Sequence, residues 1–440
     1  MKEDSITLPI KVQFKDALKF WVKLGFINFG GPAGQIAIMQ HELVDSKRWV
    51  SQSQFVRALN FCMILPGPEA QQLAIYIGWR LHGILGGVIA GSFFVIPSIF
   101  VLLALSWMVV VSSEVPAIRG LLYGVQPVVI AIVASAVLRI GKKTLHHWAL
   151  GLFAVAAFVA LYFFDISFPY VIGTAALGGT VLQRFWPHIF QSCEDGHGGS
   201  TCAEIEEASQ NNRPSMARNL RLLIFFLALW GIPLGGLWLW RGPLDVLVQE
   251  AILFSKAAFV TFGGAYAVLT YIADMAVNHY GWLNTHQMVQ GLGLAESTPG
   301  PLIMVTQYIG FLSAWNLHGE FNPLFNAVLG AFIATYMTFL PCFFFIFLGA
   351  PYIEMLSKNR LLQAAFMGVA AAVVGVIVNL AVFFGQKVLF PAPGVFDYFA
   401  AVLALASFGL ALKFKIQMHY LVPVGALAGM AWHLLGYGVF

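Results

Sequence analysis

The sequence predicts an all-α polytopic membrane protein made of two inverted-topology repeats with discontinuous helices. Composition is the first observation: 59% of the 440 residues are hydrophobic, 10% are charged and mean hydropathy is +0.79, against roughly 25% charged in an ordinary soluble domain. The second is internal similarity. FINFGGPAG beside Lys23 returns as FVTFGGAYA beside Lys256, and each copy is followed by a Pro-Gly-Pro, at Pro66-Gly67-Pro68 and Pro299-Gly300-Pro301. The third is that both copies carry helix breakers at matched places inside apolar segments, the mark of a transporter whose site lies between its halves.

Apolar runs of roughly 20 residues, enough to cross the hydrocarbon layer as a helix, recur along nearly the whole chain. They place about thirteen spans near 17–40, 55–79, 83–111, 120–139, 146–163, 166–184, 220–240, 246–276, 286–312, 323–350, 361–384, 395–412 and 418–439. The polar, basic first 19 residues lack an apolar core and a cleavage site, so no cleavable signal peptide is expected. With the N-terminus in the cytoplasm, Lys and Arg favour the inside loops by roughly three to one. Lys47, Arg48, Arg119, Arg241 and Lys387 are left outside, and the C-terminus is periplasmic or extracellular. The expected location is the cell's inner membrane. The lipid bilayer is thus a partner, and the net charge of +4 reflects topology rather than nucleic-acid binding.

Matched positions continue through Tyr76-Ile77-Gly78 against Tyr308-Ile309-Gly310, and through Pro97 and Gly124 against Pro341 and Gly368. They give an N-terminal repeat at 1–186, a hydrophilic cytoplasmic linker at 187–219, an extra linking span at 220–245 and a C-terminal repeat at 246–440. An odd number of crossings separates the copies, so they are expected to be inverted, with their breaks meeting near the midplane. In the linker, Cys193, His197 and Cys202 fit no zinc spacing and lack a fourth ligand. Neither metal nor cofactor is expected. Cys62 and Cys342 read as packing residues. The Gly83, Gly87, Gly91 stripe reads as close helix packing or the face of a homodimer.

The chemistry is expected at the breaks. Gly67-Pro68 and Gly300-Pro301 end one half-helix and start another, leaving the N–H groups of Glu69, Ala70, Leu302 and Ile303 without helical partners. In a membrane these need an acceptor, and an anion suits the positive end of the helix dipole. Two plain Pro kinks are the structural alternative. The pairs Gly30-Gly31 and Gly263-Gly264 permit close approach of backbone or ligand. Lys23 and Lys256 supply two matched charges for an oxyanion, or else snorkel to the interface. Glu69, and Glu296 before the second break, are candidate proton carriers, the bland role for Glu69 being a helix N-terminus paired to Arg80. Gln71, Gln72, Ser297, Thr298 and Gln307, with Asn28 and Thr261 beside the glycine pairs, either donate to oxyanion oxygens or satisfy broken backbone.

FGGPAGQIAIMQHELV with PGPEAQQLAIYIGW in the first half, and FGGAYAVLTYI with STPGPLIMVTQYIGF in the second, resemble the paired signatures of the chromate ion transporter family, long-chain two-domain type. The resemblance covers nearly the full chain. It implies a secondary transporter that exports chromate, related to sulfate, and confers chromate resistance. It carries binding roles more firmly to Gly30, Gly31, Gln35, Pro66, Glu69 and Gln71 than to the second repeat, which lacks the Pro-Ala-Gly-Gln run and the Glu after Pro-Gly-Pro. A sulfate or other oxyanion carrier is the alternative. A primary pump would need a G-x-x-x-x-G-K-[ST] loop, and a membrane-embedded enzyme H-E-x-x-H, G-x-S-x-G or a tight His/Asp/Glu cluster; the sequence has none.

Overall fold

The computed structural model describes residues 12–112, 114–186, 216–262, 264–353, 359–414 and 416–437. Most of the expected linker, with Cys193, His197 and Cys202, lies outside the described residues, as does Gly263. All the longer regular elements described are helices.

Two of the expected first-half spans turn back on themselves. Helix α1 (Phe14–Ile27) ends at Asn28, and α2 (Gly31–Gln40), extended by a π-helical turn over His41–Ser46, returns beside it. A straight helix would hold Lys23 and Glu42 about 28 Å apart, yet Lys23 Nζ lies 2.6 Å from Glu42 Oε1. The rings of Phe20 and Trp49 are likewise 5.7 Å apart. Helix α3 (Gln52–Ile64) then runs inward to Pro66-Gly67-Pro68, and α4 (Glu69–Phe93) runs back from it. Phe61 and Tyr76 face each other across this second hairpin, at 6.0 Å. The reason is length: α1 has 14 residues and α3 has 13, or about 20 Å each, against a hydrocarbon core of roughly 30 Å.

Non-helical His82 and Gly83 break α4 and reverse the chain once more. A Cβ on Gly78 would lie 2.4 Å from the Gly86 carbonyl oxygen, and one on Gly86 2.2 Å from that of Gly78, so the two arms of α4 touch backbone to backbone. Gly87 and Gly91 of the glycine stripe pack on Ile75, Phe343 and Phe347 of the same chain. The second arm of α4 continues through α5 (Ile96–Val111) as the first true crossing. Helices α6 (Pro116–Thr144), α7 (Trp148–Phe164) and α8 (Phe168–Phe185) follow, and α9 (Met216–Arg241) crosses alone.

The second half repeats the plan: α10 (Val246–Val260), α11 (Ala265–Ala273) with a π-helical turn over Asp274–His279, α12 (Thr285–Ser297), and α13 (Val305–Asn316) after a 3-10 turn at Leu302–Met304. Ser313 donates to Glu250, and Asn316 Nδ2 donates to the Trp282 carbonyl at 3.0 Å. The bases of both hairpins therefore share one side. The crossings α14 (Pro323–Gly349), α15 (Arg360–Leu389), α16 (Tyr398–Lys413) and α17 (Met418–Trp432) complete the chain. Four of the thirteen expected spans (17–40, 55–79, 246–276 and 286–312) thus fold into hairpins; among the described residues six helices are long and apolar enough to cross a membrane, and the shorter α7, α8 and α16 bring the candidate crossings to nine.

Correspondence extends to detail. Ser51 and Gln54 form a capping box at the start of α3, and Asn284 and Gln287 form one at the start of α12. Helix α6 packs on α16 and α17 of the other half, while α15 packs on α7 and α8. Glycines allow both crossings to close. A Cβ on Gly124 would lie 2.1 Å from the Gly425 carbonyl oxygen, and one on Gly368 2.4 Å from that of Ala175, the small-residue contact by which helices approach in lipid. Helix α9 lies outside this body. It is pinned by Trp230 Nε1 to Ser255 Oγ at 2.7 Å and by Arg218 Nη2 to the Phe347 carbonyl at 3.1 Å.

Candidate functional site where four hairpin tips meet

The tips of the hairpins come together in reciprocal pairs. Gly67 N–H donates to the Thr261 carbonyl at 2.8 Å, and Gly300 N–H donates to the Asn28 carbonyl at 3.2 Å. Each Pro-Gly-Pro tip of one half thus holds the other half's glycine-rich tip. Gly67 and Gly300 have φ of +124° and +115°, a region open mainly to glycine. A Cβ on Gly67 would lie 3.0 Å from Cys342 Sγ, and one on Gly300 2.6 Å from Ser98 Oγ. Ser98 and Cys342 follow the matched Pro97 and Pro341, so the surroundings of the tips repeat as well. Cys342 is the buried packing residue expected of it, and the tip at Gly67 is part of what it packs against.

Helices α2, α4, α11 and the 3-10 turn before α13 all begin at these tips, and none has a side-chain cap. Pro68 and Pro301 occupy the cap position, with φ of −72° and −70°, so Glu69 and Leu302 are the first helical residues. First-turn N–H groups have no helical acceptor, and the partial positive charge of four helix ends accumulates in one low-dielectric place. Such a place can hold an anion.

The amides at the tips mostly satisfy broken backbone. Gln35 Nε2 donates to the carbonyls of Gly300 at 2.6 Å and Asn28 at 3.0 Å. Asn28 Nδ2 reaches the Phe94 carbonyl at 3.1 Å, and Gln72 Nε2 the Pro66 carbonyl at 2.7 Å. Gln71 Nε2 bridges the arms of α4 through the Gly91 carbonyl at 3.2 Å, and Gln307 Nε2 reaches the Ile99 carbonyl at 2.7 Å. Thr261, Ser297 and Thr298 bond carbonyls of their own helices. Gln35 joins the two halves directly. The amide oxygens of Asn28, Gln35, Gln71 and Gln72 are buried without a partner, so each of these side chains spends its N–H on backbone and keeps an unpaired acceptor at the tips.

The two lysines each lie five residues before a tip residue, Lys23 before Asn28 and Lys256 before Thr261. Lys23 is exposed and its ammonium is engaged by Glu42, which also lies 3.9 Å from Lys47. That hydrogen bond from Lys23 holds the Glu42 carboxyl below its ordinary range, against the opposing effect of partial burial. Lys256 lies exposed on α10. Among the acids, Glu69 is half-buried at the tip, its Oε1 4.0 Å from where a Gly264 side chain would begin. Glu296 is buried and accepts a hydrogen bond from Tyr266. Sequence reasoning missed Glu250, fully buried on α10 and bonded by Ser313; its signal was a lone acid inside an apolar span.

The family profile described as Chromate transporter matches residues 15–180 and 248–430. A Chromate transport protein of Pseudomonas aeruginosa is 31% identical over 430 residues, covering 96% of this chain and 93% of that protein. A Chromate transport protein of Cupriavidus metallidurans is 28% identical over 412 residues, covering 94% of this chain and 91% of that protein. A Probable chromate transport protein of Synechococcus elongatus is 27% identical over 434 residues, covering 98% and 99% respectively. No solved structure matches.

Proposed function

The chain belongs to the chromate transporter family, and on that premise we propose that it is a secondary active transporter that exports chromate across the cytoplasmic membrane and so confers chromate resistance. Sulfate, a tetrahedral dianion of similar shape, is the competing substrate. The observation that carries the site is the reciprocal clasp of Gly67 on Thr261 and Gly300 on Asn28, with four uncapped helix starts around it. Oriented N–H groups of this kind bind oxyanions, and a carrier needs its site where two halves can move against each other.

The same reading makes the repeats inverted. Five crossings lie between the first hairpin of each half, counting the α4–α5 span, α6, α7, α8 and α9, and an odd number reverses the second half. Re-entrant hairpins also move Lys47 and Arg48 to the N-terminal side. Arg119, Arg241 and Lys387 are then the basic residues of the far side, which strengthens assignment of the N-terminal side to the cytoplasm.

Glu69 is the first candidate for proton coupling, because a charged carboxylate at the tip repels a bound dianion and a protonated one does not. Glu296 is the second. The test is chromate accumulation by purified protein in liposomes with and without an imposed pH gradient, with sulfate as competitor. Glu69→Gln is expected to keep chromate binding and lose the response to the gradient. Full gradient-driven accumulation by that variant would move the coupling to another group, and the absence of any chromate flux in the wild type would remove the function.

A further inference from the structure

A cavity of about 730 Å³ opens at the base of the α12–α13 hairpin, away from the tips. Its wall comes from the N-terminal ends of α6 and α12 and from the C-terminal ends of α5, α13 and α15. In the nine-crossing topology all of these ends lie on the side opposite the N-terminus. Its polar lining includes Gln126, Asn284, His286, Gln287, Gln290 and Asn316. His286 Nδ1 donates to Gln126 Oε1 at 2.8 Å, which joins α12 to α6 across the recess. The lining charges Arg119 and Asp397 are engaged by Glu114 and by Tyr123. A wide recess in which polar side chains stand among apolar ones, and in which Arg119 and Asp397 are already partnered, is a place for water and a hydrated ion.

Resting on the transporter reading, we propose that this cavity is the vestibule through which the oxyanion exchanges with the side opposite the N-terminus, and that Gly293 against Val125 and Val129 is the closed gate beneath it. Helix α12 carries both parts. Gln290 lines the cavity, and Ser297, at the second Pro-Gly-Pro tip, is seven residues further, or about 10 Å. Between them a Cβ on Gly293 would lie 2.1 Å from Val125 Cγ1 and 2.9 Å from Val129 Cγ2, and both valines are buried. Backbone therefore meets branched side chains with no space for water. Moving α12 away from α6 by the depth of one side chain joins vestibule and tips.

Cysteine labelling with a membrane-impermeant methanethiosulfonate reagent tests this in full-length protein in which Cys62, Cys193, Cys202 and Cys342 are replaced by serine. Gln290→Cys is expected to react from the side bearing the C-terminus and not from the other. Ser297→Cys is expected to be protected from that side, and to react at least tenfold faster when Val125→Ala and Val129→Ala are added. The single Val125→Ala variant serves if the double variant fails to fold, and Gln290→Cys labelling in the same background confirms an intact vestibule. Reaction of Gln290→Cys from the N-terminal side alone overturns the vestibule. Equal reactivity of Ser297→Cys with and without the valine changes overturns the gate. The labelling needs no chromate, so a protein that labels as stated but carries none refutes only the transport reading.

Discussion

Gly67 and Gly300 have positive φ, and a Cβ on either would press into a neighbour, 3.0 Å from Cys342 Sγ and 2.6 Å from Ser98 Oγ respectively. Alanine at either position meets both a backbone strain of roughly 1–2 kcal/mol and a steric clash. Both variants are expected to lower the melting temperature in detergent and to abolish chromate transport, whereas Gly385→Ala, where nothing lies within 4 Å, changes neither. An effect confined to one of the two glycines would show that the tips are not equivalent. Lys23 offers a contrasting case. Because Lys23 lowers the Glu42 carboxyl from its ordinary 4.5, the pair stabilises the fold above the carboxylate range, and that contribution disappears as pH falls through the lowered value. Lys23→Gln is therefore expected to melt slightly below wild type at pH 7, by no more than about 1 kcal/mol for so exposed a pair, with the difference vanishing in acid. Its effect on transport should add to that of Lys256→Gln without coupling, since Lys23 sits on Glu42; strong coupling would return both lysines to one anion.

At the scale of elements, hydropathy found every apolar segment but could not tell a crossing from a hairpin. The segment 17–40 has the length of a span, and nothing local in Asn28-Phe29-Gly30-Gly31 says whether the chain kinks or reverses. The deciding contacts, Lys23 to Glu42 and Phe20 to Trp49, are tertiary. Topology now gives a sharp test. A cysteine at Arg48 is expected to be labelled from the N-terminal side, together with one at Lys143, whereas straight spans would put Arg48 on the opposite side; labelling there would break the hairpin assignment. The interlocking crossings are equally open to test. Gly124→Leu and Gly368→Leu each force a side chain into the backbone of a helix from the other half, and both are expected to reduce the yield of folded protein, measured as the monodisperse fraction in detergent.

Across the whole molecule, the repeat was legible because backbone constraints recur in it: Gly67 with Gly300, Pro97 with Pro341, Gly124 with Gly368. Residues that make those constraints work in only one half were not legible, because nothing in Gln35 or Glu250 names a partner more than sixty residues away. Gln35 reaches the Gly300 carbonyl and Glu250 accepts from Ser313, and only the assembled hairpins bring them together. Glu69, Glu250 and Glu296 have no acidic counterparts in the other half, and under the proposed coupling this asymmetry would supply the groups that distinguish the two sides of the carrier. The central claim is that tips from both halves form one oxyanion site. Equilibrium binding of chromate to purified wild type, Pro68→Ala, Pro301→Ala and Lys23→Gln tests it most directly. Loosening either tip is expected to weaken affinity at least tenfold and by similar factors, while Lys23→Gln binds like wild type. Wild-type affinity in both proline variants, with the loss found in Lys23→Gln instead, would contradict it.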